Sequence, residues 1–499
     1  MKRYIKVIMS YSLLVIFFIS SAAAIQITSE NSISTPLFYE DDFDPLVDVE
    51  VSVEIQTIRA FDKYERQLLK REYIDFIGDP DLYVKIIIND EEFTSDIWQD
   101  TKYIYDTPFS ATLNVPDDQE FVDIIIQLWD WNKNGDKLCD IGNENDDANL
   151  IYSIKTGHWT GDDEIGDPSG YGRLNGCDDG SIYKHDMDCE LWFSIYQNDY
   201  DGDMIPYWTE VNDYGTNPEI SNIGDDDDND NIPIEWEWKW GYDPFQTDNH
   251  GYLDPENDAI DNEEEYLTVD FGSDPFRKDM FVELDQMDES PSGQKSLLPE
   301  GSKELLYTAH NRQNIVYHLD DGNCENSCSD IIPFDESTTE YELENIYYQY
   351  FQQEGNNSWR RGVFHYGVLI YQSDEVNGHM FGTNRFQVSA KGMEQKSLKL
   401  ILDRDTVYAS AYMHENGHIL DFRPIPGHDQ NSKFPWQIGW WLNRPYRSCM
   451  NYGYMYTTVD YSDGSRGSVD LDDWERMDLA AFQGHWQNIK SFSDNLDEN

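Results

Sequence analysis

Three acidic loops recur in the middle of this chain, and they limit what it can fold into more than any other feature. The first places acids at Asp199, Asp201, Asp203 and Glu210. The second uses Asp226, Asp228, Asp230 and Glu237, and the third Asp254, Glu256, Asp258 and Glu265. Each loop thus has acids at positions 1, 3, 5 and 12 and an isoleucine (Ile205, Ile232, Ile260) at position 7, repeating every 27 to 28 residues. Between Asp199 and Glu265 stand 22 acids and one base, Lys239. So much like charge repels itself unless something neutralises it. Oxygen ligands at this spacing, closed by a bidentate glutamate, are what calcium takes from one loop. The exits Tyr214-Gly215-Thr216-Asn217-Pro218, Gly241-Tyr242-Asp243-Pro244 and Phe271-Gly272-Ser273-Asp274-Pro275 predict a short helix after each loop, closed by Gly and stopped by Pro.

With this spacing, residues 196–277 resemble the EF-hand-like, thrombospondin type 3-like repeats of secreted prokaryotic proteins. The resemblance implies calcium on the twelve acids named above. The rival reading is a solvated acidic linker.

The whole chain carries a formal net charge of −63, with 98 Asp+Glu against 35 Lys+Arg. That excludes nucleic acid as a partner, because phosphate backbones call for a basic surface. It also opposes docking on anionic lipid by overall charge. Aromatics at 14 % and 15 Trp supply enough apolar mass for large cores. The N-terminus sets the compartment. Lys2, Arg3 and Lys6 precede an apolar run from Val7 to Ser21, which ends in small residues. This predicts a secretory signal peptide over residues 1–25 and a secreted, extracellular or cell-surface protein; an uncleaved anchor helix is the alternative. Cys139, Cys177, Cys189, Cys324, Cys328 and Cys449 lie outside it and can pair in an exported chain.

Residues 46–195 read as an all-β sandwich. Val47 to Val53 alternates with period two, Leu82 to Ile86 more loosely, and Phe121 to Trp129 reads as a more fully buried strand. Acidic loops flank these strands at Asp75 to Asp81 and at Asp130 to Asp136. The segment resembles C2 domains. That resemblance implies a calcium cage from Asp75, Asp81, Asp130, Asn132 and Asp136, and calcium-dependent contact with a surface or membrane. Asn132 stands where the family has Asp, and Leu82 where it has Pro.

Residues 278–499 read as an α/β (α+β) domain in which apolar runs return. Its sharpest feature is His414-Glu415-Asn416-Gly417-His418. On a helix, this spacing sets two imidazoles one turn apart on one face, fit for one zinc. Glu415 then stands where a general base is needed. Thirty residues on comes Ser448-Cys449-Met450-Asn451-Tyr452. Zinc helix and downstream turn together resemble metzincin-type metallopeptidases. The resemblance implies zinc on His414 and His418, Glu415 as catalytic base, Met450 as the Met-turn, and a protein or peptide substrate.

Two positions depart from that pattern. The family's Gly and third His fall on Asp421 and Pro424, so the helix is expected not to end in the family's way and the third ligand must come from elsewhere. His428 is the first candidate, Asp429 the alternative, and Asp421 a nearer residue pointing off a continuing helix. Tyr452 stands ready to approach the metal or an oxyanion. His365 and His379 read as structural, with lining the cleft as the alternative. The expectation is a multidomain, secreted, calcium-stabilised zinc metalloendopeptidase. Its rivals are a calcium-binding surface or adhesion protein with an inactive peptidase-like domain, and a zinc hydrolase acting on something other than peptide.

Overall fold

The computed structural model describes residues 49–61, 79–105, 107–116, 119–133, 135–142, 145–163, 172–179, 187–247, 250–322, 329–355, 359–373 and 376–479. Asp48–Asn499 make one compact unit. The signal peptide, Asp75, Cys324 and Cys328 lie outside the described residues.

The first strands are β1 (Glu50–Ala60), β2 (Leu82–Ile88), β3 (Glu91–Thr94), β4 (Tyr103–Tyr105), β5 (Ser110–Asn114), β6 (Phe121–Asp130), β7 (Lys137–Leu138), β8 (Ala148–Ser153), β9 (Trp159–Gly161), β10 (Gly172–Asn175) and β11 (Cys189–Gln197). They form two antiparallel sheets. One has the order β10-β11-β1-β4, with β5 also on β1; the other runs β3-β2-β6-β8-β9, with β7 on β6. The sequence reading of β6 as a fully buried strand needs correcting. Val122, Ile124, Ile126 and Leu128 are buried, while Phe121 is exposed and Ile125 and Trp129 only half-buried. An antiparallel sheet in a sandwich turns one face to solvent, so its strands alternate even where the outer residues are apolar. Among the described residues no disulfide joins Cys139, Cys177, Cys189 or Cys449.

The acidic repeats are folded around small aromatic contacts. Ile232, Trp236 and Trp240 are buried together, with Tyr242, Tyr266 and Phe276 packed against them. A helical turn begins at position 9 of each loop, earlier than the sequence spacing suggests, and carries the glutamate of position 12. Tyr207–Thr209 continues as one wider turn, Glu210–Tyr214; α1 (Ile234–Trp240) and α2 (Asn262–Leu267) are those of the second and third loops. Gly215, Gly241 and Gly272 stand at the exits with left-handed φ of 74°, 76° and 83°. That conformation lets amides turn back onto the last carbonyls of a helix.

The remaining strands are β12 (Lys278–Met287), β13 (Ile315–Asp320), β14 (Ile331–Ile332), β15 (Phe364–Ile370), β16 (Gly378–Gly382) and β17 (Arg385–Ser389). The sheet order is β13-β12-β15-β17-β16, with β14 on the far end of β12. All pairings are parallel except β16 against β17, so β16 is an antiparallel edge. Helices α3 (Glu300–Asn311), α5 (Ala390–Leu400) and α6 (Arg404–Ile419) share a core with Met280, Val282 and Leu284 of β12. Helix α4 (Glu340–Gln349) covers the other face, where Phe281 and Phe364 lie. Both faces of a mostly parallel sheet are thus covered, as its near-continuous apolar strands require.

Buried charge joins the sandwich to this sheet domain. Arg277 donates to Asp163 at 3.0 Å, and Glu190 accepts from Arg173 at 2.6 Å and from the Asn311 amide at 2.6 Å. All five residues are buried. Buried charges persist only when paired and hydrogen-bonded, so this seam fixes one orientation.

Candidate metal centre

Helix α6 begins at the Asp403 cap, whose carboxylate accepts from the Thr406 amide at 2.8 Å. From Val407 to Gly417 every residue is buried. Four-residue spacing sets His414 and His418 on one face, with their Nε2 atoms 3.2 Å apart. His428 Nε2 lies 3.3 Å from that of His414 and 3.1 Å from that of His418. Three nitrogens bound at 2.0–2.1 Å in a tetrahedron stand about 3.3–3.4 Å apart, so the edges of this triangle come within about 0.3 Å of those zinc sets. Burial lowers all three imidazoles, His418 to about 4, and so favours their neutral form. Neutral imidazole is the form that binds a metal.

The chain reaches His428 by ending the helix. Asp421 adopts a left-handed φ of 56°, so the turn forms although Gly is absent. The expectation that helix α6 continues past Asp421 is therefore corrected: it ends at Ile419. Asp residues enter this region more readily than most because a short polar side chain tolerates it. Asp421 is exposed and accepts from Arg423 at 2.6 Å. Asp429 accepts from the Asn431 amide at 2.7 Å and the Ser432 hydroxyl at 2.9 Å, so it serves its own turn. Neither carboxylate joins the three histidines in a group of converging ligand atoms.

The turn at Met450 supports the triangle from below. The Cys449 carbonyl lies 2.8 Å from His414 Nδ1, and Met450 is fully buried against helix α6. A Cβ on Gly417 would stand 2.4 Å from Met450 Sδ, so only glycine lets the sulfur approach. The Tyr452 ring centre lies 4.2 Å from that of His428 and 5.7 Å from that of His414. Its amide donates to the Gly427 carbonyl at 3.2 Å, tying the His428 segment to the turn.

Glu415 is buried, and burial pushes its carboxyl up to about 8. Its side chain lies along β16, where a Cβ on Gly378 would stand 2.5 Å from Oε1. His365 is fully buried and held down to about 3, while His379 Nδ1 pairs with the Gln387 amide at 2.9 Å. The contacts of Cys449 and Gly378 were not anticipated from sequence; both act through backbone or a missing side chain.

The acidic loops share one geometry. At position 1, Asp199, Asp226 and Asp254 accept backbone amides from further along their own loops, at 2.7 Å from Met204, 2.7 Å from Asn229 and 3.0 Å from Ala259. Position 6 takes a left-handed φ each time, 72° at Met204, 77° at Asn231 and 74° at Ala259. Calcium loops keep Gly there for that turn, so this shared bend could not be read from residue type. The acids at positions 1, 3 and 5 converge in every loop. Both carboxylate oxygens of Asp201, Asp228, Glu237, Glu256 and Glu265 are buried without a hydrogen-bond partner. Burial, then neighbouring acids, push Glu210 up to about 7, Glu237 to about 9, Glu256 to about 10 and Asp258 to about 8. Orphaned, crowded carboxylates are what a divalent cation resolves. His250 joins the second loop, 3.5 Å from Asp230 and from Glu237, a neighbour the acid spacing does not predict.

The sandwich edge is different. Asp130 accepts from the Asp81 amide at 3.2 Å, and Asp136 from the Tyr83 hydroxyl and the Asn132 amide at 3.0 Å. Among the described residues, the carboxylates of Asp81, Asp130 and Asp136 do not come together as one group of three.

No family model matches this chain, and no curated protein matches it. Among solved structures, similar ones are C2 domains. One described as the structure of a C2 domain is 12 % identical over 30 % of this chain and 97 % of its own, with a TM-score of 0.18. A C2 domain of a plant extended synaptotagmin 1 is 13 % identical over 30 % of this chain and 95 % of its own, at 0.18. A pair of C2 domains from extended synaptotagmin 2 is 12 % identical over 35 % of this chain and 47 % of its own, at 0.19.

Proposed function

We propose that this chain is a secreted, zinc-dependent metalloendopeptidase stabilised by calcium. The observation that carries the reading is the Nε2 triangle of His414, His418 and His428, with edges of 3.1 to 3.3 Å, beside the buried Glu415. The three imidazoles would hold the metal, and Cys449 O fixes the tautomer of His414 so that Nε2 faces it. When bound, zinc supplies a Lewis acid and lowers the pKa of its water. Glu415 would take the proton of the attacking water and pass it to the leaving amine. Tyr452, next to two of the imidazoles, would stabilise charge on the carbonyl oxygen.

The peptide reading is supported by β16. It ends the sheet with one side bonded to β17, and Gly378 brings it against Glu415. An extended peptide can add to such an edge by main-chain hydrogen bonds, which sets its scissile carbonyl beside the base.

The three loops, carrying Glu210, Glu237 and Glu265 at position 12, would each hold one calcium. Asp258 of the third loop accepts from the Asp279 amide at 2.7 Å, at the start of β12, so a cation there would brace the sheet domain. The test is metal content and proteolysis on the purified chain. Stoichiometric zinc, lost on His428→Ala and kept on Asp429→Ala, with casein cleavage, is expected. Zinc retained in His428→Ala, or bound zinc with no cleavage of any protein, would reject the reading.

A further inference from the structure

The segment that follows His428 and runs through the Met450 turn has a composition unlike the rest of the chain. From Gln430 to Val459 there is no acid at all, although the chain has 98 in 499 residues. The same stretch holds three bases, Lys433, Arg444 and Arg447, and eight aromatic residues. Its short helix α7 (Ile438–Asn443) does not bury its apolar side chains. Trp436 is 79 % exposed, Ile438 73 %, Leu442 64 %, Trp441 55 % and Phe434 43 %. An exposed apolar cluster of this kind marks an interaction surface rather than a folding residue.

The backbone beneath the cluster is held firmly. Asn443 donates to the Gly439 carbonyl at 3.0 Å and Asn451 donates to the Asn443 carbonyl at 3.0 Å. Tyr454 donates to the Arg444 carbonyl at 2.7 Å. The aromatic residues are therefore presented on a fixed platform. Arg444 lies over Trp440 and Trp441, 5.7 and 5.6 Å from their ring centres.

A second basic element adjoins it. Lys396 Nζ lies 4.8 Å from the ring centre of Tyr456 and Lys433 Nζ 4.9 Å from that of Tyr452, and burial, then Lys433 and Lys399, lower the Lys396 ammonium. Lys396 and Lys399 belong to helix α5, whose end adds Leu398, Leu400 and the 92 % exposed Ile401. The acid of that helix, Glu394, is engaged by Arg404 at 2.7 Å.

We propose that this face docks on an anionic lipid bilayer. Trp at a rim of Lys and Arg is the make-up of membrane-interface anchors, the rings entering the headgroup layer and the long basic side chains reaching phosphate. Hydrophobic rings with a basic rim favour a bilayer over another copy of this chain, whose formal charge of −63 makes two copies repel. An acidic protein is repelled by anionic lipid everywhere except where its acids are missing, which orients the docking. The contact is distinct from the sandwich and involves none of its acidic loops.

The full chain, kept in saturating calcium, is sedimented with vesicles of phosphatidylcholine and phosphatidylglycerol and with vesicles of phosphatidylcholine alone. The comparison is a double variant, Trp436→Asp with Trp441→Asp, whose calcium-bound thermal midpoint is checked against the parent. The parent is expected to bind the anionic vesicles, more weakly in high salt. The double variant should bind at least about tenfold less at an unchanged midpoint. A parent that ignores vesicles, or a variant that binds them as the parent does, overturns the proposal. So does a variant that keeps vesicle binding and loses only cleavage of a protein substrate, since the face would then be a substrate surface. If the variant fails to fold, Lys433→Glu with Arg444→Glu replaces it under the same two outcomes.

Discussion

His414 Nδ1 lies 2.8 Å from the carbonyl oxygen of Cys449, the residue just before Met450. One backbone oxygen thereby sets which nitrogen of His414 faces His418 and His428, and so couples the Met450 turn to the histidine triangle. Gly417→Ala tests the support of that triangle. The added methyl meets Met450 Sδ at 2.4 Å, which the packed core cannot absorb without a shift. Stability should fall by about 1–3 kcal/mol, with zinc affinity down about tenfold or more. Met450→Leu, similar in volume, should cost less than about 1.5 kcal/mol. Thermal melts and zinc titration check both.

Gly378→Ala addresses the base without touching the ligands. Its Cβ would stand 2.5 Å from Glu415 Oε1, pushing the carboxylate away from β16. Zinc content should hold while kcat falls about a hundredfold, as misplacement by an ångström does. Equal loss of zinc and activity would assign Gly378 a structural role instead.

Calcium should raise the unfolding free energy by about 2.7 kcal/mol per site at a hundredfold excess over Kd. Glu237→Gln and Glu265→Gln should each remove one calcium from the count. The second replacement should also loosen the start of β12, because Asp258 of the same loop holds the Asp279 amide. Isothermal titration and amide exchange read these effects. A melting curve unmoved by calcium would reject cations in the loops.

His310 gives the fold an acid limit. Burial holds it down to about 4, against 6.5 unfolded, with Nδ1 on the Leu306 carbonyl at 2.8 Å and the ring 4.4 Å from Tyr317. A depressed histidine contributes stability that is whole above about pH 6.5. That contribution is lost as the pH falls toward 4, because the unfolded chain takes up the proton first. The loss should reach about 3 kcal/mol, and His310→Asn should flatten the slope in denaturant melts between those pH values.

Glu190 carries the seam between sandwich and sheet domain. Replacing it by Ala leaves Arg173 and the Asn311 amide without their buried acceptor. The cost should be about 3–5 kcal/mol, visible in urea denaturation.

Much of this was readable in the sequence because the informative residues act through side chains at fixed spacing. The loop acids, the Gly exits and the His-Glu-x-x-His helix follow directly from periods of twelve, twenty-seven and four residues. Apolar runs such as Val363 to Ile370 point to an α/β domain, while the parallel pairing of its strands is not read from them. What escaped depends on backbone and on contacts distant in sequence. Asp421 turns the chain out of helix α6 in a left-handed conformation that the family's Gly position did not lead one to expect of Asp. His250 reaches the second loop, and the Asp130 and Asp136 carboxylates accept the backbone amides of Asp81 and Asn132. Phe121 to Trp129 looked uniformly buried because β-formers occupy both faces, whereas only alternate residues enter the core.

The central claim is that His414, His418 and His428 hold a zinc that works with Glu415. It is tested most directly by comparing the parent chain with Glu415→Ala for zinc content and casein cleavage in the same calcium buffer. One zinc in both proteins is predicted, with cleavage by the variant reduced at least about a hundredfold. Undiminished cleavage by Glu415→Ala, or a zinc-loaded parent that cleaves nothing, would contradict it.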